Sequence, residues 1–493
     1  MTRPNILFIL SDQHAQRVTG CYGDDVVRTP NLDRLAARGV TFDNAYAPSP
    51  LCQPSRMSML TGLQPHEQCC WTNDDILPSD YPTMAHSLGI AGYRPLLVGR
   101  MHSAGPDQLR GYASRLIGDH SPNWPGMGGH GMGVLKGAND PDVASLERSG
   151  CGLSAYEVKD RDVTAAACSA LLDIGRRRRE GDTTPFAVTV GLMLPHAPYV
   201  AQPDDFALYR GRVPAPCITP GGGDHPWLDW WRKNRGIDEV DALKMDRART
   251  AYYALVHRMD AMIGEILATL EAEGLADNTL IIYASDHGEH LGERGLWWKH
   301  SFYDESIKVP LIMSWPGVLP EGEWRDQVVN LTSLPATVAH AARAPWLEDR
   351  TGKSILNLAR DRRSPWHSET YAEYCTDSVP DWTGGMAVQQ RMIRTEQWKL
   401  IYYHGYRPQL FDMISDPDEL RDLVASAEHH DILRQLTDKV LTGWNPDQIA
   451  RRMRARAERK AYLADWARIT RPTEHYRWHY TDRDNRLDEF AAA

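Results

Sequence analysis

Five short apolar runs, at residues 5–10, 94–99, 185–192, 279–284 and 309–315, are rich in β-branched and aromatic residues and bounded by turn-forming ones. They read as strands buried on both faces, because apolar residues occupy successive positions instead of alternating with polar ones. Helical periodicity fills the intervals, at 31–38, 83–91, 163–178, 246–273 and 334–342. Strands alternating with helices predict an α/β fold, a large, mostly parallel sheet sandwiched by helices. In such sheets ligands bind beyond the carboxyl ends of the strands, so chemistry is sought there.

The texture changes after about residue 375. Segments 392–403 and 408–413 read as antiparallel strands and 431–441 as a helix, a smaller C-terminal α+β domain. Beyond Pro446, an Arg-rich helical stretch at 450–461 precedes an aromatic, polar one at 466–480. Two readings stand for this end: an arm reaching a neighbouring subunit, or a segment lying on its own domain. The expected organisation is a catalytic domain over 1–375, an α+β subdomain over 376–445, and a helix and arm over 446–493, with a homo-oligomer, dimer or tetramer, as the assembly.

A formal net charge of -10 over 493 residues argues against a polyanionic partner such as nucleic acid, while leaving room for a small anion in a locally positive pocket. The apolar stretch at 5–10 is too short for a signal-peptide core and runs directly into Asp12. No apolar run approaches the roughly 18–20 residues of a membrane span. The expectation is a soluble, cytoplasmic protein without membrane or nucleic-acid partners. The eight cysteines are scattered, with no paired CxxC spacing, so neither a disulfide scaffold nor a zinc site is expected.

The first predicted strand ends in Ser11-Asp12-Gln13 and the fourth in Ser285-Asp286-His287-Gly288. If those strands are neighbours, two carboxylates converge on one point, an oxygen-rich set that suits a hard divalent cation. Taken singly, a strand-end Asp is more often a cap or turn former. Between them, Pro50-Leu51-Cys52-Gln53-Pro54-Ser55-Arg56 reads as an extended loop entering a helix, with Pro54 near its start. A cysteine there sits where backbone N–H groups and the helix dipole favour an anion. The ordinary reading of a lone cysteine is a buried apolar residue.

Cys52-Gln53-Pro54-Ser55-Arg56, followed by Leu60-Thr61-Gly62, resembles the signature of the formylglycine-dependent sulfatases, in the alkaline-phosphatase-like superfamily. The resemblance runs from Pro4-Asn5-Ile6 to Leu410-Phe411-Asp412 and Asp416-Pro417. It implies that a formylglycine-generating enzyme oxidises Cys52, and that one divalent metal is bound, Ca²⁺ first, with Mn²⁺ or Mg²⁺ as alternatives. It also implies metal ligands at Asp12, Asp286 and His287 with Gln13 beside them. Arg56 would steady the aldehyde hydrate, and Asn73 and Arg100 would hold the sulfate. Arg100 and His102, in Gly99-Arg100-Met101-His102, would also serve the nucleophile, with His196 and Lys299 on the leaving-group side.

Gln13, His287 and Arg100 replace the Asp, Asn and Lys of the commonest sulfatases, a pattern similar to the branch of choline sulfatases and phosphonate monoester hydrolases. Gly105-Pro106-Asp107-Gln108-Leu109 resembles the choline-sulfatase side. The implied activity is hydrolysis of the sulfate monoester of a small organic, aryl or sugar alcohol, with phosphonate monoester or phosphodiester hydrolysis as the alternative. An aldehyde hydrate suits the task because one hydroxyl attacks sulfur and the other lets the sulfated intermediate collapse. Trp71, Trp124, Tyr199, Trp297 and Trp298 could cage a quaternary ammonium group, but more simply wall the pocket or pack the core.

Overall fold

The structure is a computed structural model and describes residues 3–129, 131–220 and 225–488. All five apolar runs enter one eight-stranded sheet. Its order is Glu323–Arg325, Val40–Phe42, Leu311–Ser314, Thr279–Ser285, Asn5–Asp12, Phe186–Pro195, Arg94–Gly99, Ser114–Leu116. Only Leu311–Ser314 runs antiparallel to its neighbours; the other pairings are parallel. Every residue of Asn5–Asp12, Phe186–Pro195 and Thr279–Ser285 is buried, as expected of strands covered on both sides.

Helices Ala155–Arg179, Ala242–Ala272 and Pro30–Ala37 pack together as one group, and Cys52–Thr61, Met84–Ile90 and Ser333–Ala342 as another. Gly191 permits a close backbone approach at the strand ends. A Cβ there would lie 1.7 Å from the Arg100 carbonyl oxygen, so only glycine lets Arg100 sit where it does.

A four-stranded antiparallel sheet follows, formed by Glu369–Cys375, Gln389–Thr395, Trp398–Tyr403 and Gln409–Asp412. It opens at Glu369, ahead of the boundary drawn at residue 376. Helix His430–Leu441 covers it over Ile393, Leu400, Leu410, Leu436 and Val440. The two sheets are tied by a buried ion cluster, in which Lys399 Nζ lies 2.7 Å from Asp304 Oδ1 and 2.8 Å from Glu419 Oε1.

The last helix, Pro446–Thr470, is pinned to the loop at 72–76 by Arg456 and Lys460. The arm after it lies on its own first domain. Trp478 N donates to Asp119 O (2.9 Å), and Arg486–Leu487 pairs antiparallel with Gly150–Leu153. Tyr480 is buried with Met132, Leu135, Ala155 and Val200. Among the described residues no helix is long and apolar enough to cross a membrane.

Candidate active site

Strands Asn5–Asp12 and Thr279–Ser285 are parallel neighbours with Ser11 opposite Ser285, so Asp12 and Asp286 emerge side by side at their carboxyl ends. Helix Cys52–Thr61 starts at the same point. Cys52 is its first residue, 1% exposed, and Arg56 projects one turn further on, from the same face. Gly62, at φ 72°, ends the helix in the left-handed conformation that follows many helices.

Arg56 is fully buried and holds both carboxylates by their outer oxygens: Nε donates to Asp286 Oδ2 (2.7 Å) and Nη2 to Asp12 Oδ2 (3.1 Å). Arg100 Nε also donates to Asp12 Oδ2. Despite burial, these guanidiniums hold the Asp12 carboxyl well below the usual carboxylate range. The Oδ1 oxygens face the centre instead; that of Asp286 also accepts from the backbone N–H of Gln13 (3.1 Å) and of His287 (3.0 Å). His287 Nδ1 lies 3.0 Å from the Gly288 carbonyl, which only accepts, so Nδ1 carries the proton and Nε2 presents a lone pair. That lone pair lies 3.1 Å from Cys52 Sγ, 3.8 Å from Asp12 Oδ1 and 3.7 Å from Asp286 Oδ1. Burial lowers the His287 pKa further, favouring the neutral ligand form.

Ligand atoms of Asp12, Cys52, Asp286 and His287 thus lie within 4.8 Å of one another, all buried. Two ionised oxygens and a neutral imidazole nitrogen fit a divalent cation. The second-layer bonds from Arg56 and Gly288 orient them as such ligands are usually oriented. Gln13, expected beside these ligands, donates its backbone N–H to Asp286 Oδ1 (3.1 Å), and its side-chain Oε1 accepts from Lys299 Nζ at 2.6 Å.

Lys299 Nζ also lies 2.9 Å from His196 Nε2 and 3.6 Å from Cys52 Sγ. His196 Nδ1 lies 2.6 Å from Ala197 O, which fixes its proton on that nitrogen and leaves Nε2 to accept from the lysine. Across the thiol, Arg100 Nη2 lies 2.9 Å from His102 Nδ1. Burial, then the Arg100 charge, push the His102 pKa well down, so this imidazole is neutral. Asn73 is exposed, and its Oδ1 accepts from Gln53 N (3.1 Å), steadying the turn that presents Cys52.

The five candidate aromatics do not form a cage. Trp71 packs with Cys375 and Trp444, Tyr199 and Trp297 pack on each other, and Trp298 Nε1 donates to Ser145. Trp124 stands edge-on to Trp466 of the last helix. His14 bonds to Tyr283 and Val18, and His86 to Thr83.

Sequence reasoning missed Glu289, which accepts from Gln13 and Tyr199, and Tyr156, whose ring centroid lies 5.9 Å from that of His196. Glu289 stands in the same loop as Asp286 and His287, a signal that was available. Tyr156 sits on a long helix and carried none.

The Sulfatase family model matches residues 4–344, and a second, N-sulphoglucosamine sulphohydrolase, C-terminal, matches 292–444. The chain belongs to the sulfatase family. It is a sulfuric ester hydrolase, and the likeness to the branch of choline sulfatases and phosphonate monoester hydrolases holds. The sulfatase is 31% identical over 449 residues to a choline-sulfatase of Rhizobium meliloti (strain 1021), covering 85% of this chain and 82% of the relative. It is 30% identical over 447 residues to human arylsulfatase K, covering 85% and 78%. Among solved structures, the phosphonate monoester hydrolase of Agrobacterium radiobacter shares the fold of this sulfatase with a TM-score of 0.72, 21% identity, and coverage of 89% and 95%. A protein in complex with its substrate D-glucosamine-2-N,6-O-disulfate gives a TM-score of 0.71 at 22% identity, covering 90% and 99%.

Proposed function

We propose that the enzyme hydrolyses the sulfate monoester of a small polar or cationic alcohol, using a formylglycine made from Cys52 and a divalent cation, Ca²⁺ in the first instance. The observation carrying this reading is the position of Cys52. It is the first residue of a helix, within 3.6 Å of Asp12 Oδ1, His287 Nε2 and Lys299 Nζ. Asp12, Asp286 and His287 would hold the cation, which when bound supplies positive charge that polarises the ester oxygens. The aldehyde hydrate supplies two hydroxyls where the thiol offers one nucleophilic atom.

The chain's own groups do the remaining work. The helix N-terminus and Arg100 meet the sulfate oxygens, which would otherwise repel a nucleophile. Neutral His102 can accept a proton beside the nucleophile. Lys299 and His196 can stabilise or protonate the departing alkoxide, with His196 accepting from the ammonium in the resting state. Gln13 serves by holding Lys299.

For the alcohol, a cavity of about 610 Å³ is lined in part by His120, Lys136, Asn139, Asp140, Tyr480 and Asp482. Tyr156 stands between this cavity and His196: its hydroxyl lies 3.1 Å from His120 Nε2 and 3.4 Å from Asn139 Nδ2, and its ring centroid 5.9 Å from that of His196. Two carboxylates and the Tyr480 ring against one lysine favour an alcohol bearing a cation. The similarity to a choline-sulfatase supports the same direction.

The test is the mass of the proteolytic peptide containing Cys52, with metal content and turnover of choline sulfate, an aryl sulfate and a phosphonate monoester measured on the same preparation. Loss of sulfur with gain of oxygen, a bound divalent cation and preference for the sulfate esters are expected. An active enzyme with an intact thiol overturns the nucleophile, and preference for the phosphonate overturns the substrate class.

A further inference from the structure

Lys299 is carried by a loop whose backbone is unusual: Trp298 and His300, on either side of it, have φ of 63° and 82°. Non-glycine residues rarely adopt such angles unless neighbouring bonds impose them. Much of that bonding converges on Glu289, a fully buried carboxylate two residues beyond His287. Its Oε1 accepts from the backbone N–H of Trp298 and of Leu291, both at 2.7 Å. Its Oε2 accepts from the Tyr199 hydroxyl at 2.8 Å and from Gln13 Nε2.

The bond to Gln13 carries the argument. A carboxamide offers donors at one end and an acceptor at the other, and its partners decide which way it points. Here Glu289 takes the N–H end, so the carbonyl end must face Lys299 Nζ, 2.6 Å away. Flipping the amide would set its N–H groups against an ammonium and its oxygen against a carboxylate, two repulsions in a site that water does not screen. The ammonium so held touches His196 Nε2 and lies 3.6 Å from Cys52 Sγ.

We infer that Glu289 is a positioning residue for Lys299, fixing its backbone through the Trp298 N–H and its ammonium through the Gln13 carboxamide. The inference rests on the reading of Lys299 as the group that serves the leaving-group oxygen.

The mature, metal-loaded enzyme tests it with sulfate esters of graded leaving-group pKa. Lys299→Met fixes the reference. It should lower kcat for an alkyl sulfate about 100-fold or more, the low end of what a positioned proton donor contributes, and affect 4-nitrophenyl sulfate far less. Glu289→Gln should reproduce that steepened dependence, because its amide now faces the Gln13 amide. Gln13→Met should reproduce it without touching Glu289, which covers the case of a misfolded Glu289 variant. Combining Glu289→Gln with Gln13→Glu restores an acceptor for Lys299 and should recover most of the alkyl-sulfate rate. A steep Lys299→Met profile with flat Gln13→Met and Glu289→Gln profiles, or no recovery in the exchange, overturns the inference alone. A flat Lys299→Met profile overturns the reading of Lys299 and the inference with it.

Discussion

Arg56 shows how one side chain can shape a site without facing the substrate. Its fork takes the outer oxygens of Asp12 and Asp286, so both inner oxygens face Cys52 and His287. Removing it leaves buried Asp286 without its counter-charge and Asp12 with Arg100 alone. Breaking a buried pair from one side costs about 3–5 kcal/mol, so Arg56→Met should lose that much in urea unfolding measured in chelator, and added Ca²⁺ should restore part of it. A loss under about 1 kcal/mol would show that Arg100 alone holds the carboxylates. The residue types at these positions were legible because the chemistry fixes them locally: a cysteine entering a helix, an arginine one turn on, an aspartate ending a buried strand. Glu289 was not read out: its nearness in sequence to Asp286 and His287 marked the loop, but its action through a glutamine and a backbone amide shows only in the fold. Nor was the turn of the Gln13 side chain toward Lys299, which depends on that same hidden partner.

At the scale of elements, long buried runs announced themselves and short ones did not. The run at 94–99 became a strand with those very bounds. Val40–Phe42, Ser114–Leu116 and Glu323–Arg325 have three residues each, too few to show a period. The loop bearing Lys299 is another such element, since it owes its shape to distant partners. Lys399 bonds to Asp304, and Arg294 to the Asp418 and Glu419 carbonyls, so the second sheet and the turn after its last strand grip this loop on both sides of Lys299. Lys399→Met should lower both stability and kcat, while KM for a sulfate ester changes little; an unchanged kcat would show that the loop holds its shape alone. The terminal arm makes a separate prediction, because Tyr480 and Asp482 line the cavity assigned to the alcohol. Asp482→Ala should cut kcat/KM for choline sulfate at least 10-fold relative to an uncharged alkyl sulfate, the order of a lost charge-assisted contact. Equal losses on both would place the alcohol elsewhere.

The whole molecule keeps several histidines away from protons, and its response to acid follows. Burial, then the Arg407 charge, push the pKa of His225 down to about 3. Its neutral form is built in: Nδ1 accepts from Trp227 N as the cap of helix Pro226–Asn234, and Nε2 meets the Arg407 carbonyl across the boundary between the sheets. Unfolded, the ring takes a proton near pH 6.5. The stabilisation is therefore complete above that pH and is lost as pH falls from 6.5 toward 3, at about 1.4 kcal/mol per unit. Unfolding free energies measured from pH 6.5 to 4.5 should fall less steeply in His225→Asn, by about one proton; parallel slopes would contradict the assignment. The depth of Cys52 has a consequence of another kind, one of timing. In the finished fold the thiol is 1% exposed, at the carboxyl end of a strand, Asn5–Asp12, whose partners, Phe186–Pro195 and Thr279–Ser285, are synthesised much later. On the reading proposed for Cys52, the enzyme that oxidises it must reach it before those strands pair. At 5–20 residues per second, the roughly 230 residues between Cys52 and Ser285 leave a window of about 12–47 s. A ribosome that outruns the modifying enzyme would thus release a chain that folds correctly and stays inactive for its lifetime.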